Sequence, residues 1–252
     1  MTDMNSSSPS LLTFEVISTR TINDPTKYVV YSIRVLRKGP TPDNHSCLLE
    51  RRYTEFLELY TKLRQEFPDI FSSVEFPKKA MVGNFSAETI ASRSTAFEYL
   101  LTLLVSHDKV RESATVMDFF LIKELTDSLK MISDKKYSEA AVVLENSFYL
   151  LNKLLTPRHP QLLRLLCLLV GCCDAAISQQ TRHFAMTAVQ RFEAVSDTDL
   201  LRYYVPLLQL TATLLQNGDK ELLQERLCCM KRRGMRVDGC PSLLEAVLSD
   251  LS

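Results

Sequence analysis

Residues 48–57 read LLERRYTEFL, and within this stretch the chain changes from strand spacing to helix spacing. Successive side chains at a strand end point to opposite faces of a sheet, so only one of the two arginines, Arg51 and Arg52, can face a given pocket. An arginine offers a rigid fork of donors that suits a phosphate, and the adjacent Tyr53 offers a flat face and a hydroxyl. The stretch predicts a site for a phosphorylated ring at a strand–helix junction.

The residues before this stretch predict an antiparallel meander of three strands. β-Branched and aromatic residues alternate from residue 11 to about residue 35, and an Asn-Asp-Pro turn signal at 23–25 divides them into two strands. A second turn over residues 39–44 leads into a third strand over roughly residues 46–53. Because the three strands follow one another through turns, we expect neighbours to pair antiparallel.

The residues after the stretch predict helices that accompany this sheet. Apolar residues recur at helical spacing from Phe56 to Phe67, and Pro68 ends the run. Ser86 as N-cap, with Glu88 in the first turn, begins a second long helix. A shorter apolar segment over residues 116–121 follows. The predicted fold class of this half is α+β, a three-stranded antiparallel sheet plus helices.

Beyond residue 121 the strand signals disappear, which predicts an all-α domain of stacked helical hairpins. Residues 134–141 and 152–157 resemble the second helix of a tetratricopeptide repeat, and the turn at 217–222 resembles its inter-helix turn. Their interval is not a multiple of the period of about 34 residues, so the domain is predicted to be tetratricopeptide-like and irregular. The predicted helices cover residues 125–132, 137–155, 161–177, 182–195, 200–215, 220–231 and 242–251.

These patterns divide the 252 residues into three regions. We expect a polar, disordered tail over residues 1–10, the α+β domain over 11–124 and the helical domain over 125–252. The first ten residues, MTDMNSSSPS, lack the basic and apolar segments of a secretory signal. The most apolar run, 162–177, contains two charged residues and is shorter than a membrane span of about 20 residues. A cytoplasmic protein with peripheral membrane contact is predicted.

Composition argues against several functional classes. The 30 basic and 30 acidic residues cancel, which does not favour a nucleic-acid partner. Seven cysteines, an odd number lying mostly in apolar runs, predict reduced core thiols. The adjacent pairs at 172–173 and 228–229 lack the two-residue spacer of zinc sites, so no metal is predicted. No histidine has an evident carboxylate or thiol partner in the sequence, so neither an enzyme nor a cofactor is predicted.

The irregular segment 76–84, FPKKAMVGN, adds a second basic element. Lys78 and Lys79 precede an apolar tip formed by Met81 and Val82. Ammonium groups attract lipid phosphates while apolar side chains enter the interface, so this loop suits a membrane surface. We therefore interpret Met81 and Val82 as a membrane-insertion loop. The strand end, the loop over residues 76–84 and the second long helix, which carries Arg93, can converge on one pocket.

Three motifs together resemble the PX (phox homology) domain, a phosphoinositide-binding module. They are residues 51–56 (RRYTEF), the proline-lysine loop 76–84, and residues 93–97 (RSTAF), in the order and spacing of that family. The resemblance covers roughly residues 11–125. It implies that the domain binds phosphatidylinositol 3-phosphate.

The resemblance also implies a role for each matching residue. Arg52 resembles the arginine that binds the 3-phosphate, and Tyr53 the aromatic residue that packs on the inositol ring. Lys79, or alternatively Lys78, resembles the lysine that meets the phosphate joining ring to glycerol. Arg93 resembles the arginine that engages the ring hydroxyls at positions 4 and 5.

A PX-like domain followed by a tetratricopeptide-like domain resembles the sorting nexin branch of sorting nexin-20 and sorting nexin-21, whose C-terminal part is called PXB. This implies a peripheral adaptor on early endosomes, with a protein partner or cargo tail held by the helical domain. The alternative is a protein-interaction scaffold whose PX domain is structural or prefers another lipid, such as phosphatidylinositol 4,5-bisphosphate.

Overall fold

The computed structural model forms two compact units, Met1–Lys123 and Glu124–Ser252. The tail predicted over residues 1–10 lies outside the part of the chain that the structure describes. Among the described helices, none is long and apolar enough to cross a membrane. The described residues are 11–23, 25–38, 45–79, 83–193, 198–216 and 218–251.

The first unit contains the predicted meander. Strands β1 (Leu11–Ile22), β2 (Tyr28–Lys38) and β3 (Cys47–Arg52) form one antiparallel sheet in the order β1-β2-β3. Val30 lies opposite Arg52 in the register of β2 and β3, which places the start of β2 beside the strand end that carries the arginines. The predicted sheet is confirmed.

Helices α1 to α5 follow the sheet. The predicted N-cap Ser86 accepts a hydrogen bond from the Thr89 N–H at 3.2 Å. Pro68 follows the end of α1 and is the first residue of α2, a position that proline suits. Tyr53 opens α1, and the predicted third strand over residues 46–53 is one residue too long at each end. The helices are α1 (Tyr53–Glu66), α2 (Pro68–Phe71), α3 (Ala87–Val105), α4 (Asp108–Arg111) and α5 (Ala114–Ser133).

Helix α5 joins two segments that the sequence predicted separately, residues 116–121 and 125–132. The residues between them are Ile122, Lys123 and Glu124, and they include neither glycine nor proline. Nothing there interrupts the i to i−4 hydrogen bonds, so the helix continues. The division between the two units falls within this helix.

An aromatic cluster holds α1 and α3 on the sheet. Phe56 of α1 stacks on Phe97 of α3 with ring centroids 3.8 Å apart, and Tyr31 of β2 meets Phe97 edge-on at 4.9 Å. All three side chains are fully buried. Such contacts contribute beyond the area that they bury, so the cluster fixes where the helix ends lie relative to the sheet.

The second unit consists of helices and their connections, and its described residues form no strand, as predicted. Consecutive helices contact each other from α6 to α10, and α11 returns to pack on α7 and α9. Gly171 of α7 permits the close approach of α11, because a Cβ at this position would lie 3.0 Å from Leu244 Cα. The helices are α6 (Tyr137–Leu154), α7 (Pro160–Ala175), α8 (Thr181–Phe192), α9 (Thr198–Leu214), α10 (Gly218–Arg232) and α11 (Leu243–Leu251).

The cysteines are free thiols, but not all of them are core residues. Cys47, Cys167, Cys172 and Cys173 are buried, as expected from their apolar runs. Cys228 is exposed, so the predicted core location is wrong there. The reason is that most of α10 lies at the surface, with Leu223 as its buried residue.

We expect a maleimide to modify Cys228 in the folded protein and to spare Cys167 and Cys172 until the second unit unfolds. Burial raises the pKa of Cys172 to about 12, so its reactive thiolate is scarce at neutral pH. Peptide mass spectrometry after timed labelling measures both rates. Labelling of Cys167 as fast as Cys228 would contradict the burial of α7.

Candidate functional site

The two adjacent arginines have different environments. Arg51 is only 2% exposed, and its Nε and Nη2 donate to the Phe119 carbonyl oxygen at 2.9 and 2.5 Å. Arg52 is exposed, with its guanidinium carbon 5.6 Å from the centroid of the Tyr28 ring. The alternation of the strand therefore separates a structural arginine from one that is accessible to a ligand.

Arg52 is also the residue that precedes the first turn of α1. Its backbone N–H donates to Glu55 Oε2 at 2.7 Å, the reciprocal bond of a capping box. The contact uses the backbone of Arg52 and leaves the side chain outside the helix. The change of conformation from β3 to α1 thus positions the guanidinium at a pocket mouth.

Four of the predicted site residues line one pocket of about 390 Å³: Arg52, Tyr53, Lys79 and Arg93. Among the described residues, no acidic side chain lines it. Lys78 is exposed and lies outside the lining, so Lys79 is the lysine that the structure brings to this pocket. The predicted insertion residues Met81 and Val82 lie outside the described part of the chain.

Arg93 is oriented by a neutral partner. It is 4% exposed, and its Nη2 donates to Asn84 Oδ1 at 2.6 Å. Its guanidinium carbon also lies 4.2 Å from the centroid of the Tyr53 ring, within the range of a cation–π interaction. Because Asn84 carries no charge, it fixes the direction of Arg93 without cancelling its positive charge.

Tyr53 lines the pocket and also contacts the segment that leads to Lys79. Its hydroxyl donates to the Pro77 carbonyl oxygen at 2.8 Å, and its ring lies 5.8 Å from that of Phe76. Burial raises the pKa of Tyr53, and the opposing effect of Arg93 is smaller. One ring face is therefore already covered by Arg93, which restricts where a ligand ring can stack.

A second tyrosine fixes the segment that carries Lys79. The Tyr60 hydroxyl donates to the Val74 carbonyl oxygen at 2.8 Å, and its ring stacks on Phe76 at 4.8 Å. The segment before Lys79 thus contacts Tyr60 of α1 at two residues, Val74 and Phe76. A binding residue supported in this way has less conformational freedom to lose when a ligand binds.

Sequence reasoning missed several residues that line the same pocket, among them Lys27, Tyr28, Asn84 and Phe85. Asn84 is the last residue of the loop that was singled out, but its side chain was given no role. A signal existed for Tyr28, because a strand that pairs with β3 must bring some of its residues beside Arg52. The pairing register that selects Tyr28 is a property of the folded hairpin.

The pocket lining offers cations, amides, hydroxyls and aromatic rings, which suit an anionic ligand. Among the described residues, no group of three or more His, Cys, Asp or Glu side chains could hold a metal ion. The chemistry that this lining supports is binding through charge-assisted hydrogen bonds.

Comparison with known proteins places this chain in a family. A family model for the PX domain matches residues 39–123. Human sorting nexin-21 is 31% identical over 98% of this chain and 66% of its own length, and Bos taurus sorting nexin-20 is 32% identical over 86% and 68%. The chain thus spans about two thirds of the length of these relatives.

Among solved structures, a designed CISK-PX domain is 23% identical and covers 42% of this chain and 95% of its own, with a TM-score of 0.36. The identity to sorting nexin-20 and sorting nexin-21 extends through both units of the chain, and the pocket lies within the N-terminal unit. The protein belongs to the sorting nexin family and carries a PX domain.

Proposed function

We propose that this sorting nexin is a peripheral membrane adaptor that binds phosphatidylinositol 3-phosphate through its PX domain. The observation that carries the proposal is the convergence of Arg52, Lys79 and Arg93 on one pocket without an acidic side chain among its described lining residues. Such a pocket favours a ligand with more than one negative charge. It acts by binding, and we propose no catalytic role.

The three cations would divide the headgroup between them. Arg52 at the strand end binds the 3-phosphate, and Lys79 binds the phosphate that joins the ring to glycerol. Arg93 lies deeper, where Asn84 and the Tyr53 ring hold its guanidinium. There it donates to the ring hydroxyls at positions 4 and 5 and leaves little room for a phosphate on either of them.

The location that follows is the cytoplasmic face of early endosomes. A single headgroup contact is modest in affinity, so stable residence needs a second attachment. We propose that Met81 and Val82 supply it by entering the bilayer interface. The helical unit would hold a protein partner or cargo tail, which makes the chain an adaptor in endosomal sorting.

A lipid panel tests the proposal. We expect neutral vesicles that contain phosphatidylinositol 3-phosphate to sediment the protein, and vesicles with phosphatidylinositol 4,5-bisphosphate to do so at least about tenfold less well, because Arg93 crowds positions 4 and 5. The two vesicle types should be matched in total lipid charge. Preference for the bisphosphate, or no preference at all, would contradict the role of Arg93 and favour the scaffold alternative.

A further inference from the structure

We propose that Lys27 is a second ligand of the 3-phosphate and acts beside Arg52. This inference rests on the proposed function, since it concerns the same pocket and the same headgroup. Lys27 belongs to none of the three motifs that drew attention to the site. It lies just before β2 and reaches the pocket only because the strands pair as they do.

The position of Lys27 follows from the hairpin. Tyr28 begins β2, and the Arg52 guanidinium lies over its ring. Lys27 directly precedes Tyr28 and therefore lies at the same rim of the pocket. Lys27 and Arg52 both line the pocket. The structure thus brings two cations, one from the residue before β2 and one from the end of β3, to the same pocket.

Lys27 lies against an aromatic ring. Its Nζ lies 4.5 Å from the centroid of the Phe85 ring, which comes from the segment just before α3. A cation–π contact at an exposed site is weak, whereas a charge-assisted hydrogen bond to a phosphate is stronger. Phe85 therefore holds the ammonium at the pocket rim, where the described lining residues include no acidic side chain, and a phosphate can displace the contact.

The negative charge of the 3-phosphate favours a second cation beside Arg52. A phosphate monoester carries about −1.5 to −2 at pH 7, while a phosphodiester carries a single negative charge. One guanidinium balances only part of the 3-phosphate. Arg93 is directed by Asn84 and Tyr53, and Lys79 is assigned to the diester, so Lys27 is the lining cation that remains for the monoester.

The test compares Lys27→Ala with wild type on phosphatidylcholine vesicles containing phosphatidylinositol 3-phosphate and, separately, with soluble inositol 1,3-bisphosphate. We expect a loss of about tenfold in affinity for both probes, as for the removal of one charged hydrogen bond. Lys27→Arg should retain most of the affinity. The matched control is Lys109→Ala, which removes an exposed lysine of α4 outside the pocket lining and should bind like wild type.

Two outcomes would overturn the inference. Wild-type affinity of Lys27→Ala for both probes, while Arg52→Ala loses binding, would remove Lys27 from the site and leave the proposed function intact. A loss on vesicles alone, with unchanged affinity for the soluble headgroup, would mean that Lys27 contacts the bilayer and not the 3-phosphate. Circular dichroism and a thermal melt of each variant establish that it is folded.

Discussion

Replacement of Arg52 by alanine is expected to lower the affinity for phosphatidylinositol 3-phosphate vesicles by about a hundredfold, because the proposed site would lose two charge-assisted hydrogen bonds to the phosphate. The free energy of unfolding should change by less than about 0.5 kcal/mol, since the side chain is exposed and makes only a distant contact with the Tyr28 ring. Vesicle sedimentation over a range of lipid concentrations measures the first quantity, and urea unfolding the second.

The matched control for Arg52 is Arg64→Ala. Arg64 is an exposed arginine near the end of α1 and is not part of the pocket lining. It has the same charge as Arg52, so a loss of binding in both variants would indicate non-specific attraction to the membrane surface. If Arg52→Ala binds as well as wild type, the pocket is not the lipid site.

Replacement of Arg51 by alanine is expected to destabilise the first unit by about 3 kcal/mol, because a buried carbonyl oxygen loses its charged donor and the packing of the long side chain is lost. The substitution takes two donors from the Phe119 carbonyl oxygen and leaves a cavity beside α5. Arg51 also lies over the Phe119 ring, with 5.2 Å between the guanidinium carbon and the ring centroid. The loss should appear in the first unit, because both partners belong to it.

Hydrogen exchange measures this effect locally. Amides of β3 and α1 should exchange faster in Arg51→Ala, while those of α7 in the second unit keep their wild-type rates. Arg51→Met retains much of the side-chain volume and should be less destabilising, which separates the loss of packing from the loss of hydrogen bonds.

Comparison of the two arginines at equal folded fraction tests the assignment of the strand faces. Folded Arg51→Ala should bind phosphatidylinositol 3-phosphate within about threefold of wild type, because its side chain points away from the lipid pocket. A loss of affinity equal to that of Arg52→Ala would mean that the faces have been assigned the wrong way round.

The secondary structure could be predicted where the conformational signal is local. The alternation from residue 11 onward, the N-cap Ser86 and the break at Pro68 each act within a few residues, and the corresponding elements are present. The prediction was wrong where the helical pattern of apolar residues weakened although no glycine or proline interrupted the helix. The separate segments of α5 illustrate this, because the residues between them still favour a helix.

The candidate site divides in the same way. The sequence by itself determined that Arg52 and Tyr53 meet at a strand–helix junction and that their side chains suit a phosphorylated ring. Strand alternation also predicted that Arg51 and Arg52 would have opposite environments, because adjacent side chains of a strand point to opposite faces of the sheet. The loop that carries Lys79 was expected to be able to converge on the same pocket, and the resemblance to the PX family supplied the individual roles of Lys79 and Arg93.

Only the tertiary structure decided which distant side chains share the pocket with Arg52. Lys27 reaches it through the register of the hairpin, and Arg93 reaches the Tyr53 ring because the Phe56 and Phe97 stack holds α3 against α1. The physical reason is that spacing along the chain encodes local conformation. The meeting of residues 27, 52 and 93 depends on strand pairing and core packing between segments far apart in sequence.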